Sequence, residues 1–271
     1  MIHISSHNST LSQLRTLCAT TAGQAKGPVM STGLAGLDSA LPRGGLDRCG
    51  VHEWIGVSEP RGGEPDHAPT NRAMGWSPPL TVLAQLAGGA CAAMEGSRAR
   101  IVWIGRGVWP YAPALGPVPG ESDGGLLGRS LFVDAGHPAE RLWAADLSLR
   151  SRAAAAVIAD GSGLDLASTR RLQLAAEAGS TPCLLARPPW ERTMLSAATT
   201  RWLVRTCPCA TDSRRWTVEL LRCKGVQPSP HAPRVWTLER DHATRTLAVA
   251  PDLFDGPGQA ALGPPRAWLT G

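Results

Sequence analysis

A chain that binds and splits a nucleoside triphosphate needs a small set of residues at fixed spacing. Glycines expose backbone amides to the phosphates, a lysine reaches the β/γ-phosphates, and a Ser or Thr hydroxyl holds magnesium. The stretch Gly56-Val57-Ser58-Glu59-Pro60-Arg61-Gly62-Gly63 follows an apolar segment, as such a loop should. Gly56 supplies the first glycine. Aligned on it, the lysine position is Gly62 and the hydroxyl position is Gly63. Arg61 stands one residue early, and its planar guanidinium does not replace the point charge of a lysine. Glu59 and Glu64 repel phosphate. The chain has only two lysines, Lys26 and Lys224, and neither lies near this loop.

Two further parts of such a machine can be sought. Asp160 closes the apolar run AAAVIAD, where an ATPase keeps a magnesium-shell aspartate. The same residue could simply cap the turn Gly161-Ser162-Gly163. The water-orienting acid is missing, because the apolar run RIVWIG is followed by Arg106 and Gly107. Neither a nucleotide cofactor nor catalysis is expected from this set. The seven cysteines are irregularly spaced, and Cys207-Pro-Cys209 is the only close pair. A zinc site wants a second pair, so no metal is expected.

The elements that would position these residues follow from periodicity. Leu80, Leu83, Ala84, Ala87, Cys91 and Met94 mark one helix face. Val51–Val57, Arg100–Gly105, Leu131–Asp134, Ala154–Asp160 and Pro182–Ala186 read as strands, with Leu131–Asp134 expected to be buried. Residues 137–149 are helical, with Pro138 in the first turn. Asp165 can N-cap a helix running to Ala178, with Gly179 as its stop. Residues 28–48 are turn-rich, with Leu34, Leu37 and Leu41 as apolar footholds. Residues 58–78 form a long loop, and the Gly/Pro-rich 107–128 has room for one short helix around Tyr111–Leu115. Strand patterning returns at 201–205, 216–222, 235–239 and 244–249. Alternating strands and helices followed by successive strands predict an α/β fold. It should have a mostly parallel sheet, helices on both faces, and antiparallel strands at the C-terminal side.

Composition sets the context. The 271 residues can bury a core without a disulfide or metal staple. The net charge of +5 comes with no long run of like charge, so an arginine-rich solvated surface and a binding face both remain open. No stretch is apolar enough to span a membrane, and the N-terminus lacks the pattern of a secretory signal. Odd, scattered cysteines suit reduced thiols, and a cytoplasmic location is expected.

Several stretches resemble the RecA-like ATPase core: Ser31-Thr32-Gly33-Leu34 with Leu37-Asp38, Arg43-Gly44-Gly45-Leu46, HEWIG, VIADGS and WTVELLRCKG. A closer resemblance is to the ImuA family, degenerate RecA-like proteins of bacterial mutagenesis cassettes. It is carried by STGLAGLDSALPRGGL, by Val102-Trp103-Ile104, by ERLWAADLSLRSRAAAAVIADGSGLDLASTRRLQLAAEAG, and by LSAATTRWLV with RWTVELLRCKG. Residues 1–27 read as an N-terminal helix from Leu11, Leu14, Leu17 and Cys18, residues 28–250 as the RecA-like core, and the Gly/Pro-rich residues 251–271 as a tail. The resemblance implies a non-catalytic adaptor in SOS-type translesion synthesis. The expected partners are an ImuB-like inactive Y-family polymerase, an error-prone C-family DNA polymerase, and RecA itself.

Arg222 and Lys224 match basic positions that a RecA-like protein turns toward a neighbour, and they are candidate partner contacts. They could equally guard a sheet edge. The segment 188–200 falls where RecA carries a mobile DNA-contacting loop. There Trp190 could stack on a base, with Arg187 and Arg192 on phosphates, or Trp190 could cover the core. Two other functions stay open: a residual nucleotide-binding switch using Asp160 and Arg61, and a salt-dependent binder of single-stranded DNA.

Overall fold

The computed structural model describes residues 27–57, 76–94, 99–116, 124–207, 214–226, 234–241 and 246–250. A two-stranded hairpin, β1 (Val29–Met30) with β2 (Leu46–Asp47), brackets a short helix, α1 (Ala35–Ser39). Its loop is tied by Asp38, which accepts from the Thr32 amide at 2.9 Å and the Thr32 hydroxyl at 2.8 Å. Leu34, Leu37 and Leu41 are buried, as their spacing in a turn-rich segment predicts.

The main sheet has nine strands. They are β3 (Val51–Val57), β4 (Arg100–Ile104), β5 (Ser130–Val133), β6 (Ala154–Asp160), β7 (Cys183–Arg187), β8 (Thr200–Cys207), β9 (Arg215–Cys223), β10 (Val235–Arg240) and β11 (Leu247–Val249). The spatial order is β11-β10-β9-β8-β3-β7-β6-β4-β5. The strands from β8 to β5 in this order are parallel, and β9, β10 and β11 extend the sheet antiparallel beyond β8. The fold is therefore the predicted α/β sheet.

Helix α2 (Leu80–Ala92) covers one face, and α4 (Pro138–Arg150) and α5 (Leu166–Gly179) cover the other; a four-residue turn, α3 (Gly125–Gly128), precedes β5. Alternate residues of each strand feed two cores. Trp54, Trp103, Ile158 and Trp202 face α2, while Val51, Val102, Val157 and Leu185 face α4 and α5. Trp54 and Trp202 stack with ring centroids 5.1 Å apart. β6 is buried along its whole length, which is why its sequence is one unbroken apolar run.

Two expectations are corrected. Leu131–Asp134 is not a buried strand: β5 is the last strand of the sheet, leaving Leu131 52% and Phe132 38% exposed. Gly179 does not stop α5. It is the helix's last residue, and Ser180, at φ +52°, takes the left-handed cap. Glycine is required at 179 for packing, because a Cβ there would sit 1.8 Å from the Leu149 carbonyl oxygen. The expected N-terminal helix and C-terminal tail lie outside the described residues.

Candidate functional site

Ligands in sheets of this kind bind beyond the carboxyl ends of the parallel strands. At the end of β3, Gly56 lies under the returning chain. A Cβ there would meet the Ser77 carbonyl oxygen at 2.0 Å. Arg61, Gly62 and Gly63 lie outside the described residues. The helix that follows, α2, has Pro79 at its N-cap and Pro78 before it. Neither proline has an N–H, and the Leu80 amide is taken by the Pro78 carbonyl at 2.8 Å. A helix N-terminus binds anions through its first amides, and here that of Leu80 is withdrawn and the N-cap residue has none. The dipeptide Pro78-Pro79 is a legible signal of this that the motif search passes over.

Asp160 ends β6 and is buried. Its Oδ1 accepts from the Ser162 amide at 2.9 Å and the Ser162 hydroxyl at 2.6 Å. Its Oδ2 lies 3.8 Å from Nε of Arg141 on α4. Arg141 is itself buried and donates to the carbonyls of Asp160 at 2.9 Å, Gly136 at 2.8 Å and Ser162 at 2.8 Å. One guanidinium thus ties together the ends of β5 and β6. Gly105, at φ +89°, lets β4 pass beside it, since a Cβ would lie 2.9 Å from Arg141 Cδ and 3.1 Å from Asp160 Cβ. Pattern reading misses Arg141, because a lone arginine on a helix looks like a surface residue. Its neighbour Arg106 pairs in the open with Asp134, Nε to Oδ1 at 2.9 Å. The shared hydrogen bonds lower the Asp134 pKa and raise that of Arg106.

A magnesium–nucleotide group fits these residues poorly. Asp160 Oδ1 is taken by Ser162 and Oδ2 faces the Arg141 guanidinium at 3.8 Å, and two prolines stand directly before α2.

The second region is the strap 188–199, which joins β7 to β8 across the face that carries α5. Beneath it lies a buried charge network. Glu53 on β3, 0% exposed, accepts from the Ser196 hydroxyl at 2.7 Å and pairs with Arg201 Nε at 2.5 Å. Arg201 also donates to the carbonyls of Arg192 at 3.0 Å and Met194 at 2.8 Å. Arg222 donates to the carbonyls of Ser196 at 3.0 Å and Ala198 at 2.7 Å. From α5, the Thr169 hydroxyl accepts the Ala197 amide at 3.1 Å. Desolvation first, then the nearby Arg201 charge, lowers the Arg222 pKa. The segment that falls where RecA carries a mobile loop is here a strand connection held by these bonds.

This decides where the sequence candidates stand. Arg187 is 0% exposed. It pairs with Glu53 at 3.6 Å and Glu191 at 2.8 Å, and donates to the Leu164 carbonyl at 2.9 Å. Its expected role on a DNA phosphate is corrected: the guanidinium is spent inside the fold. Trp190 and Arg192 are exposed on the strap, with Arg192 4.0 Å from Glu219. Arg222 is partly exposed but its head holds the strap. Lys224 is exposed in the turn after β9, where its backbone amide donates to the Thr199 carbonyl and its carbonyl accepts from the Cys223 thiol. Arg222 and Lys224 therefore sit near one another but do different work. Among the described residues no cluster of His, Cys, Asp and Glu could hold a metal, and no helix is long and apolar enough to cross a membrane.

No protein-family model matches the chain. Two curated relatives do. They are Protein ImuA of Caulobacter vibrioides strain NA1000 / CB15N and Protein ImuA of Caulobacter vibrioides strain ATCC 19089 / CIP 103742 / CB 15. Each is 29% identical over 256 aligned positions, covering 82% of this chain and 93% of the relative. Similarity of that extent covers most of the chain, which is ImuA-like over that length.

Proposed function

We propose that this protein is a non-catalytic RecA-like adaptor in SOS-type DNA-damage tolerance. It acts with an ImuB-like inactive Y-family polymerase and an error-prone C-family DNA polymerase, and it contacts RecA. The observation that carries the absence of catalysis is Asp160. Its Oδ1 accepts from Ser162 and its Oδ2 faces the Arg141 guanidinium 3.8 Å away, in a crevice whose helix is preceded by two prolines. The similarity to Protein ImuA supports the setting, and the exposed Lys224 supplies a free cation for a partner.

The test has two arms. Purified protein with magnesium and ATP should show no turnover, and Asp160→Asn should change nothing there. Hydrolysis abolished by Asp160→Asn would overturn the non-catalytic reading. In the second arm, tagged Lys224→Glu should retain less RecA and ImuB-like protein than the native chain, at an unchanged melting midpoint. Arg222 is unsuited to this arm, because its loss frees the strap.

A second reading, binding of single-stranded DNA, is favoured by the exposure of Trp190 beside Arg192. Gel-shift affinity that falls steeply with salt and is lost in Trp190→Ala would establish it.

A further inference from the structure

The last parallel strand of the sheet, β5, has an open side. Its register sets Ile101 of β4 opposite Ser130 and Trp103 opposite Phe132. The Ile101 amide donates to the Arg129 carbonyl at 2.9 Å, and the Gly105 amide to the Val133 carbonyl at 3.0 Å. A parallel ladder in this register spends the N–H and C=O of Leu131 and Val133 on β4. Those of Ser130 and Phe132 point the other way, and no described residue takes them up.

Proteins that stay monomeric blunt such an edge with a lysine, a proline or a bulge. Ser130-Leu131-Phe132-Val133 has neither residue, and its register with β4 is unbroken. Apolar surface accompanies the open backbone. Leu131 and Phe132 stand on opposite faces of the sheet and are 52% and 38% exposed. On one face α4 packs on β6 and β4, and Leu131 beyond them meets solvent. On the other, the Phe132 ring is held in place by Trp103 and Trp109, at centroid distances of 6.5 Å and 5.6 Å.

We infer that β5 pairs with β5 of a second copy of this chain, antiparallel and about a two-fold axis, so that the two sheets run on as one. Centred on Phe132, this pairing joins its N–H and C=O to the same groups of the copy, and it sets Ser130 opposite Asp134. Opposed residues share a face, so Phe132 meets Phe132, and Leu131 meets Val133. A two-fold contact requires one patch to complement itself. This patch does so, in its outward donors and acceptors and in apolar side chains on both faces. The charges at its ends agree. Asp134 is paired with Arg106 of its own chain at 2.9 Å, and antiparallel order places Arg129 of each copy beside that pair and not beside its own image. The inference concerns an edge remote in sequence from Lys224 and does not rest on the adaptor reading.

The test reads assembly and backbone pairing together on the full chain. Sedimentation over a wide concentration range should show a monomer passing into a dimer and no further. Hydrogen exchange followed residue by residue should slow at the Ser130 and Phe132 amides as the dimer forms, while the Leu131 amide, already on β4, should not change. Leu131→Glu places a carboxylate against Val133 of the other copy. It should weaken the dimer about tenfold or more and restore fast exchange at Phe132, at an unchanged melting midpoint. Phe132 itself is left intact, because its ring packs on two tryptophans. A monomer at every concentration overturns the inference, as does a dimer that Leu131→Glu leaves intact. Slow exchange at Phe132 in the dilute monomer would mean that the chain covers its own edge. Assembly that grows past the dimer would mean a head-to-tail contact, and either result overturns the two-fold pairing. None of these outcomes alters the co-purification result at Lys224, so the two readings fail separately.

Discussion

The crevice at the end of β6 and the strap over β3 and β8 are built with the same tool. In each, a buried arginine donates to successive backbone carbonyls: Arg141 to Asp160, Gly136 and Ser162, and Arg201 to Arg192 and Met194. They differ in the countercharge. Arg141 leans on Asp160 at the surface end of a strand, while Arg201 and Arg187 share Glu53, which is wholly enclosed. The first arrangement occupies a carboxylate that a catalytic site would need. The second turns a loop into a fixed part of the fold. A guanidinium offers five donors in a planar fork, and an ammonium cannot span such a set of carbonyls. Many arginines and only two lysines thus describe internal struts as much as a basic surface.

The comparison can be broken most forcefully at Glu53. Glu53→Ala leaves two buried guanidiniums without their shared carboxylate, and urea denaturation should show a loss of about 3–5 kcal/mol. Limited proteolysis should then cut within 188–199. Near-native stability would mean that the network does not hold the strap.

On the crevice side, Arg141→Lys keeps the charge and loses the fork. A loss of about 1–3 kcal/mol is expected, from carbonyls left unpaired. Gly179→Ala probes the packing at the other end of α4 and should cost about 1–3 kcal/mol through the clash with Leu149.

The smallest effect is one of pH. His52, fully buried, has Nδ1 2.8 Å from the Thr200 hydroxyl and Nε2 2.8 Å from the Asp47 carbonyl, and burial lowers its pKa. With the folded value below the unfolded value of about 6.5, its contribution is complete above that pH. It is lost as pH falls from there through the folded pKa. His52→Gln should flatten the stability profile over that window, and an unchanged profile would remove His52 from it.

Much of the fold was legible because each strand and helix announces itself locally. The Ala154–Asp160 run is buried on both faces and so is apolar throughout, and Asp165 stands one residue before α5 and caps it through the Ser168 amide at 2.8 Å. The degenerate loop was legible too, since a missing lysine is missing whatever the fold. Edge and centre were not, because β5 has the apolar character of a buried strand and only the sheet order leaves it outermost.

By itself, then, the sequence determined the α/β alternation, the depleted phosphate motif and the resemblance to ImuA. Only the tertiary structure decided which arginines are buried and which are free. Arg187 and Arg192 stand five residues apart with the same side chain, yet one is enclosed by Glu53 and Glu191 and the other meets solvent. Glu191 is local to both, but Glu53 reaches Arg187 from a strand far off in the sequence, and such a partner is set by three-dimensional proximity, which no local pattern of residues encodes.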